Sequence, residues 1–540
     1  MKITCVPSLT FIPILIMFIM NSEASKMIPR LPLTTWSALV LLFALFCLYG
    51  AWLAIYRLFL SPLSKFPGPK LAAATGWYQS YFELATWAKG HFKIKELHDK
   101  YGPIIRINPW EISVNDADFY SVLNVSGSVR HTNIDVRQRA ALGFGESHGF
   151  TEDHNLHKIR RKPLEPLFSR RAIDLAQDSI WSFAARVDEL FDKAKKTGHV
   201  ISINRAFAAY VDDAVSKACF GKSIGLLDDE DFSPLWHRML HGLGTQTPLL
   251  FNFSILPLIL RFVPVGIVAR LHPEGAAYAQ LKGYTETIVD EALERTKKQD
   301  PARLKEMSTT DRKLIETIIF SDLPDSQKTK SRLATEASVV LAAGGITTMR
   351  MLTIATYYLL ADPAKGKRVR DELAGLMVGF PNQNPRWADL EKLPYLAACV
   401  KEALRLGIGA TRHVAKVFPH DEIKYKDWVI PKGTSVSVPM YPMHYDAEVY
   451  PNPWSFVPRR WLGEYDPRMD RNLNPFSKGS RVCLGKNLAY ADMYILLATL
   501  FRPGGPKMTL YETDESNVKF ECDFGVSSPR LESKGVRVVI

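Results

Sequence analysis

Cys483 stands in the stretch Phe476-Ser477-Lys478-Gly479-Ser480-Arg481-Val482-Cys483-Leu484-Gly485. The pattern is F-x-x-G-x-R-x-C-x-G: a cysteine in a glycine-flanked turn, beside a cation, ahead of a helical run from about Leu488 to Leu500. Positive charge and the amide N–H groups of a helix start lower a thiol pKa and favour the anion. Gly479 and Gly485 let the backbone take turn conformations and let a flat ligand come close. The residue types therefore suit a thiolate that ligates haem iron. The competing reading is a free cysteine buried in an ordinary loop, which needs none of the other four fixed positions.

The chain of 540 residues is long enough for a large core, and its 47% hydrophobic and 23% charged content is that of a globular protein with an extra apolar segment. Its 68 basic and 56 acidic residues give a net charge of +12. No zinc-finger spacing or arginine-rich tract accompanies that charge, so nucleic acid is not indicated. A membrane surface, an acidic protein partner or a plain solvated basic surface remain. The six cysteines, Cys5, Cys47, Cys219, Cys399, Cys483 and Cys522, are scattered without a C-x-x-C pair. That is poor material for a disulfide framework and fits a reducing compartment.

Two apolar stretches open the chain. The first, about Ser8 to Met20, reads as a short leader, and residues 1–26 are expected to be dispensable, since Met27 begins a shorter chain. The second, 33–60, contains an uncharged run from Trp36 to Ile55, long enough to span a bilayer as a helix. It reads as a membrane anchor with the rest in the cytosol. Phe66-Pro67-Gly68-Pro69 follows, making 61–70 a proline-rich hinge before the catalytic domain, 71–540. Helical periodicity is expected around His91 to Lys100, strands at Ile104–Ile107 and Ile112–Val114, then mainly helix from Ser169 to Gly407 and strand-like pieces between Ile423 and Val438. The fold class is mainly α with a minor β subdomain. The run Leu249 to Leu271 is apolar but broken by Pro257 and Pro264, so it either packs inside or lies on the bilayer.

Three further stretches carry chemistry. Glu402 and Arg405 lie three apart on one helix face, and Phe456-Val457-Pro458-Arg459-Arg460-Trp461 follows later. Gly344 and Gly345 interrupt a long helical stretch, about Ser331 to Ala361, just before Ile346-Thr347-Thr348. Adjacent glycines cost about 1 kcal/mol each in a helix, so they need a reason; tight packing is the plain one. His157-Lys158-Ile159-Arg160-Arg161 precedes Phe168-Ser169.

With these landmarks in order over about residues 60–540, the chain resembles the cytochrome P450 family. The resemblance implies haem b with Cys483 as axial ligand to the iron, Phe476, Gly479, Arg481 and Gly485 shaping its site, and a buried Glu402–Arg405–Arg460 network beside the haem loop. It implies that Gly344 marks a place where the helix opens over the haem, with Thr347 and Thr348 binding dioxygen and relaying protons. Ile346 stands where the family carries an acid, which leaves the proton route to the threonines and water or to another acid. His157 and Arg161 are implied to hold a haem propionate. A further propionate partner is left open: Arg412 and His413 lie nearby, but the usual spacing falls on Ala415. Arg459 stands where an acid is usual.

The implied activity is that of a membrane-anchored haem-thiolate monooxygenase in the endoplasmic reticulum membrane, single-pass and facing the cytosol. Electrons would come from NADPH through a separate cytochrome P450 reductase, with cytochrome b5 as an optional second donor. No dinucleotide fingerprint is present in this chain. Exposed lysines near Cys483, Lys478 and Lys486, suit an acidic reductase face. Asp153-His154-Asn155-Leu156-His157 and the C-terminal stretch are similar to fungal members of the trichodiene oxygenase type. A small hydrophobic secondary metabolite, a sesquiterpenoid or other terpenoid, is the expected substrate; a polyketide or alkaloid is the alternative. A haem-thiolate isomerase or dehydratase working without reductase, and a membrane scaffold without competent haem, are the rival functions.

Overall fold

The computed structural model describes residues 33–127, 129–137, 143–253, 255–256, 259, 263, 267, 270, 277–298, 312–412 and 414–540. The expected leader, residues 1–26, lies outside them. Helix α1 (Leu33–Ile55) carries no charge and runs on into a wider turn over Tyr56–Leu60. Trp36, Val40, Leu42, Leu48 and Trp52 stand 55–67% exposed around it. A helix apolar on every face and exposed along most of its length can cross a bilayer by its length and composition.

The proline segment behind it is clamped rather than free. Pro67 O accepts from Arg106 N–H (2.7 Å), and Phe66 is buried and stacks on Trp428. Gly68 has φ +146, and a Cβ there would come within 2.5 Å of Arg106 O, so only glycine lets the chain lie this close to the first strand.

Helix α2 (Gly90–Tyr101) leads into β1 (Ile104–Asn108) and β2 (Glu111–Val114), each slightly longer than its pattern predicts. The strand β3 (Asn133–Ile134) precedes α3 (His154–Arg161), α4 (Arg170–Thr197) and α5 (Ile203–Phe220). Then come α6 (Lys330–Ala361), α7 (Pro394–Gly407), β4 (Lys416–Val417), β5 (Ser435–Ser437) and α8 (Lys486–Phe501). One sheet has the order β1-β2-β5-β4-β3, with β2 parallel to β5 and the other pairs antiparallel. Its register sets Lys416 opposite Ile134 on one side and Val436 on the other.

Helices α4, α5, α6 and α8 pack on one another and form the core. The Ser169 hydroxyl caps α4 by accepting from Ala172 N–H, and Gly198 ends it in the left-handed region (φ 67). Ile173, Ile180, Ala184, Val187 and Phe191 bury one face of it. Helix α6 is long and apolar enough to span a membrane, but it is mostly buried in protein. The helical run expected from Leu314 to Gly407 is broken at 374–386, where Gly375, Gly379, Pro381 and Pro385 disfavour helix. The architecture is mainly helical with small sheets, as its sequence predicts.

Candidate active site

The cysteine loop is held by backbone bonds. Cys483 N–H donates to Phe476 O (2.8 Å), and Val482 N–H to Gly479 O (3.2 Å). Ser480 N–H reaches Val125 O (3.1 Å). Gly479 sits at φ +70 against the 124–125 backbone, where a Cβ would meet Asn124 O at 2.3 Å; no other residue fits. Gly485 has an ordinary φ of −82, and a Cβ there would meet nothing within 4 Å. It borders open space, so its missing side chain leaves room for a ligand rather than permitting a turn.

That open space is a cavity of about 460 Å³. Cys483 opens onto it while protein surrounds the loop. The thiol pKa is pushed up by burial, against the pull of the Gly485 and Lys486 N–H groups and the Arg161 and Lys486 charges. The sequence expectation of a net lowering is thus corrected: the favourable groups are present, but desolvation outweighs them. Arg481, the cation expected beside the thiol, turns to Thr151 O (2.8 Å) and Glu152 O (3.0 Å). The nearer cation is Arg161, which donates to Val482 O (2.7 Å) and pairs with Glu165 (2.8 Å).

Helix α6 supplies Val339, Val340, Ala343, Gly344, Thr347 and Thr348 to the same cavity. It runs unbroken, with no opening at the glycines. The Thr347 hydroxyl donates to Ala343 O one turn back (2.8 Å). Both glycines have packing reasons. A Cβ on Gly344 would meet Val215 at 3.0 Å, and one on Gly345 would meet the Asp212 carboxyl at 2.5 Å. Asp212 is buried, accepts from Trp236 Nε1–H (2.7 Å), and burial pushes its pKa up to about 8. Ile346 packs against the hydrophobic core. An acid does border the cavity, but from α8: Asp492 is buried, and neither of its oxygens has a partner among the described residues. Burial and the neighbouring Asp212 raise its pKa.

Cations gather on the cavity wall. Arg412 donates to Glu83 (2.8 Å) and lies 4.2 Å over the Phe251 ring, so it has partners already. His413 lies outside the described residues. Lys416 is different. The sheet register buries it, no bond to its side chain is found among the described residues, and burial beside Arg481 pushes its pKa down to about 7. Arg481 Nε is also buried without a partner. A buried cation lacking a counter-charge is costly, and Lys416 beside the orphaned Arg481 Nε marks a place for an anionic ligand. Sequence spacing pointed to Ala415 and missed its neighbour. His157 and Arg161 do not border the cavity; His157 is buried, and burial, Arg481 and His148 push its pKa down to about 2.

The buried network forms as the motif predicts. Glu402 accepts from Arg405 (2.8 and 3.0 Å), Arg460 (3.2 Å), Trp461 Nε1 (2.8 Å) and Val457 N–H (3.0 Å). Arg405 also donates to His444 O, Pro453 O and Ser455 O. Glu402 and Arg405 are fully buried, and the network ties α7 to the segment 453–461.

A helical fold whose long core helix and cysteine loop share one apolar cavity is that of a haem-thiolate oxygenase. The cytochrome P450 family model matches residues 69–503, and the chain belongs to that family. It is 41% identical to the cytochrome P450 monooxygenase oblB of Aspergillus clavatus, over 90% of this chain and 94% of that protein. It is 40% identical to fusicoccadiene C-8 hydroxylase of Phomopsis amygdali (90% and 93% covered) and 36% identical to stellatic acid synthase of Emericella variicolor (92% and 94%). The chain is therefore a cytochrome P450 monooxygenase, an oxidoreductase of a family that uses haem iron, cysteine thiolate and dioxygen.

Proposed function

We propose that this protein is a membrane-anchored monooxygenase that oxidises a hydrophobic terpenoid in fungal secondary metabolism, with Cys483 as the thiolate ligand of its haem. The observation that carries this reading is that Cys483 and Thr347 border one apolar cavity which also holds Lys416 and Arg481, the latter with its Nε orphaned. The thiol and these cations fit a flat group with carboxylates. Bound there, haem supplies the activation of dioxygen and the oxidation of an unreactive C–H bond.

The chain's own residues do the rest. Lys416 and Arg481 would hold the carboxylates with charge-assisted bonds, and Arg161 supports the loop from behind through Val482 O. Gly485 leaves the cavity free of a side chain beside Cys483, where a flat group would lie. Phe476 closes the loop through its carbonyl and packs on Tyr490 at 5.1 Å. Thr347 and Thr348 hold protons on the cavity side of α6, and Asp492, whose pKa burial and Asp212 raise, stands on the wall that α8 contributes. The apolar wall excludes water and accepts a hydrocarbon skeleton.

The terpenoid assignment rests on relatives named for fusicoccadiene and stellatic acid. Electrons come from NADPH through a separate reductase docking near exposed Lys486. Helix α1 anchors the chain in the endoplasmic reticulum membrane. Leu249, Ile255, Ile259 and Ile267, 41–50% exposed, extend the bilayer contact; Pro257, Pro264 and part of that run lie outside the described residues. Coexpression with a reductase in cells making cyclic terpenes should give a product one oxygen heavier that needs NADPH. Turnover independent of reductase would contradict this assignment.

A further inference from the structure

One polar device on the cavity wall has no part in holding the cysteine loop or the threonines. His148 borders the cavity, with its side chain one-tenth exposed. Its backbone N–H and Nδ1 both bond the Glu336 carboxylate. Glu336 is fully buried on α6 and takes a second partner, Arg332 Nη2, at 3.1 Å. Arg332 in turn donates to Gln327 O (2.9 Å). Burial by itself would raise the Glu336 pKa, but His148 and Arg332 hold it below the usual carboxylate value. An ionised Glu336 can only accept, so Nδ1–H is committed to it, and Nε2 is the ring nitrogen left to bond a ligand. Nε2 has no protein partner among the described residues, yet it is not one of the enclosed orphan atoms. It faces open space, and the space the residue borders is the cavity.

The position of Glu336 adds direction. It lies eleven residues before Thr347 on the same helix, about three turns and roughly 16 Å along the axis. Eleven residues at the helical period return to nearly the same face. Val339, Val340, Ala343 and Gly344 fill the interval on the cavity side. An apolar strip with a fixed hydrogen-bonding nitrogen near one end and Thr347 at the other suits a long ring skeleton that is apolar along its length and bears one O–H.

We propose that His148, held by Glu336 and Arg332, is a specificity-determining residue whose Nε2 hydrogen-bonds a hydroxyl already present on the substrate. The enzyme then acts on a terpenoid alcohol rather than on the bare hydrocarbon. The reaction that supplies its substrate is an earlier hydroxylation, or a cyclisation ended by water. This inference rests on the terpenoid reading above and narrows it.

The test uses the haem-loaded full chain and three probes of one skeleton: abietadiene, abietadienol and abietic acid. Binding is read from the shift of the haem absorption band. Wild type should bind the alcohol about tenfold more tightly than the hydrocarbon, the worth of one net hydrogen bond. His148→Leu should bring the two within about twofold, and His148→Gln, which keeps a hydrogen-bonding group, should restore part of the preference. Equal binding of alcohol and hydrocarbon by wild type overturns the inference even if no variant folds. So does tighter binding of the acid, which would assign a protonated imidazole to a carboxylate. A His148→Leu form that keeps the preference but loses haem would assign the ring to the cofactor and likewise overturn it. No response to any probe would sink the terpenoid reading together with this one; equal responses sink this one alone.

Discussion

At the scale of single residues, Lys416 is the most exposing test of the cavity's chemistry. A lysine buried without a counter-charge keeps its proton at low cost only if a ligand neutralises it. Replacing it with Met keeps the stem and removes the charge. The expected result is weaker haem retention, seen as a lower haem-to-protein ratio after gel filtration and faster transfer to apomyoglobin. Lys416→Arg should restore retention; unchanged retention in Lys416→Met would remove this residue from the haem site. Cys483, Glu402, Arg405 and Arg460 were legible in the sequence because their meaning lies in short local patterns. Lys416 was not, because its importance comes from a strand register that sets it opposite Ile134 and Val436. The His148–Glu336 pair, 188 residues apart, was equally hidden. Nothing in the local pattern of either residue points to the other.

At the scale of elements, the contact of α5 with α6 explains a motif that the family resemblance assigned to helix opening. The helix stays closed, and Gly345 is there because the Asp212 carboxyl occupies the space of a side chain. Gly345→Ala should therefore destabilise the protein by about 1–3 kcal/mol through overpacking. Asp212→Ala removes the obstacle, so the double variant should lose less than the sum of the two single losses. Urea unfolding of all four forms measures the coupling. Strict additivity would show that the glycine serves something other than this contact. Periodicity placed α6 well, Lys330–Ala361 against an expected Ser331–Ala361, because a core helix of this length has a strong pattern. It could not show which neighbour fills the groove beside Gly345.

At the scale of the whole molecule, burial of titratable groups sets a pH dependence. His91, His98 and His444 have pKa values pushed down to about 4, and His157 to about 2, with burial the main cause. Unfolded, each imidazole binds a proton below its ordinary pKa of about 6.5, while the folded protein does not. Their contribution is therefore fully present above pH ~6.5 and is lost as pH falls toward the folded values. Asp212 and Asp492, raised by burial, act in the opposite sense, but they are two against six lowered histidines, His154 and His237 included. Stability should fall between pH ~6.5 and ~4.5 by about 5 kcal/mol per pH unit at most. Thermal unfolding across that range checks it, and a flat or rising midpoint on acidification would contradict the burial assigned to these rings. All of this chemistry serves one centre. The most direct measurement is the carbon monoxide difference spectrum of the reduced, haem-loaded protein, wild type beside Cys483→Ser. The account predicts a thiolate-type band in wild type that vanishes in the variant. A wild type without that band, or a variant that keeps it, would contradict Cys483 as the ligand.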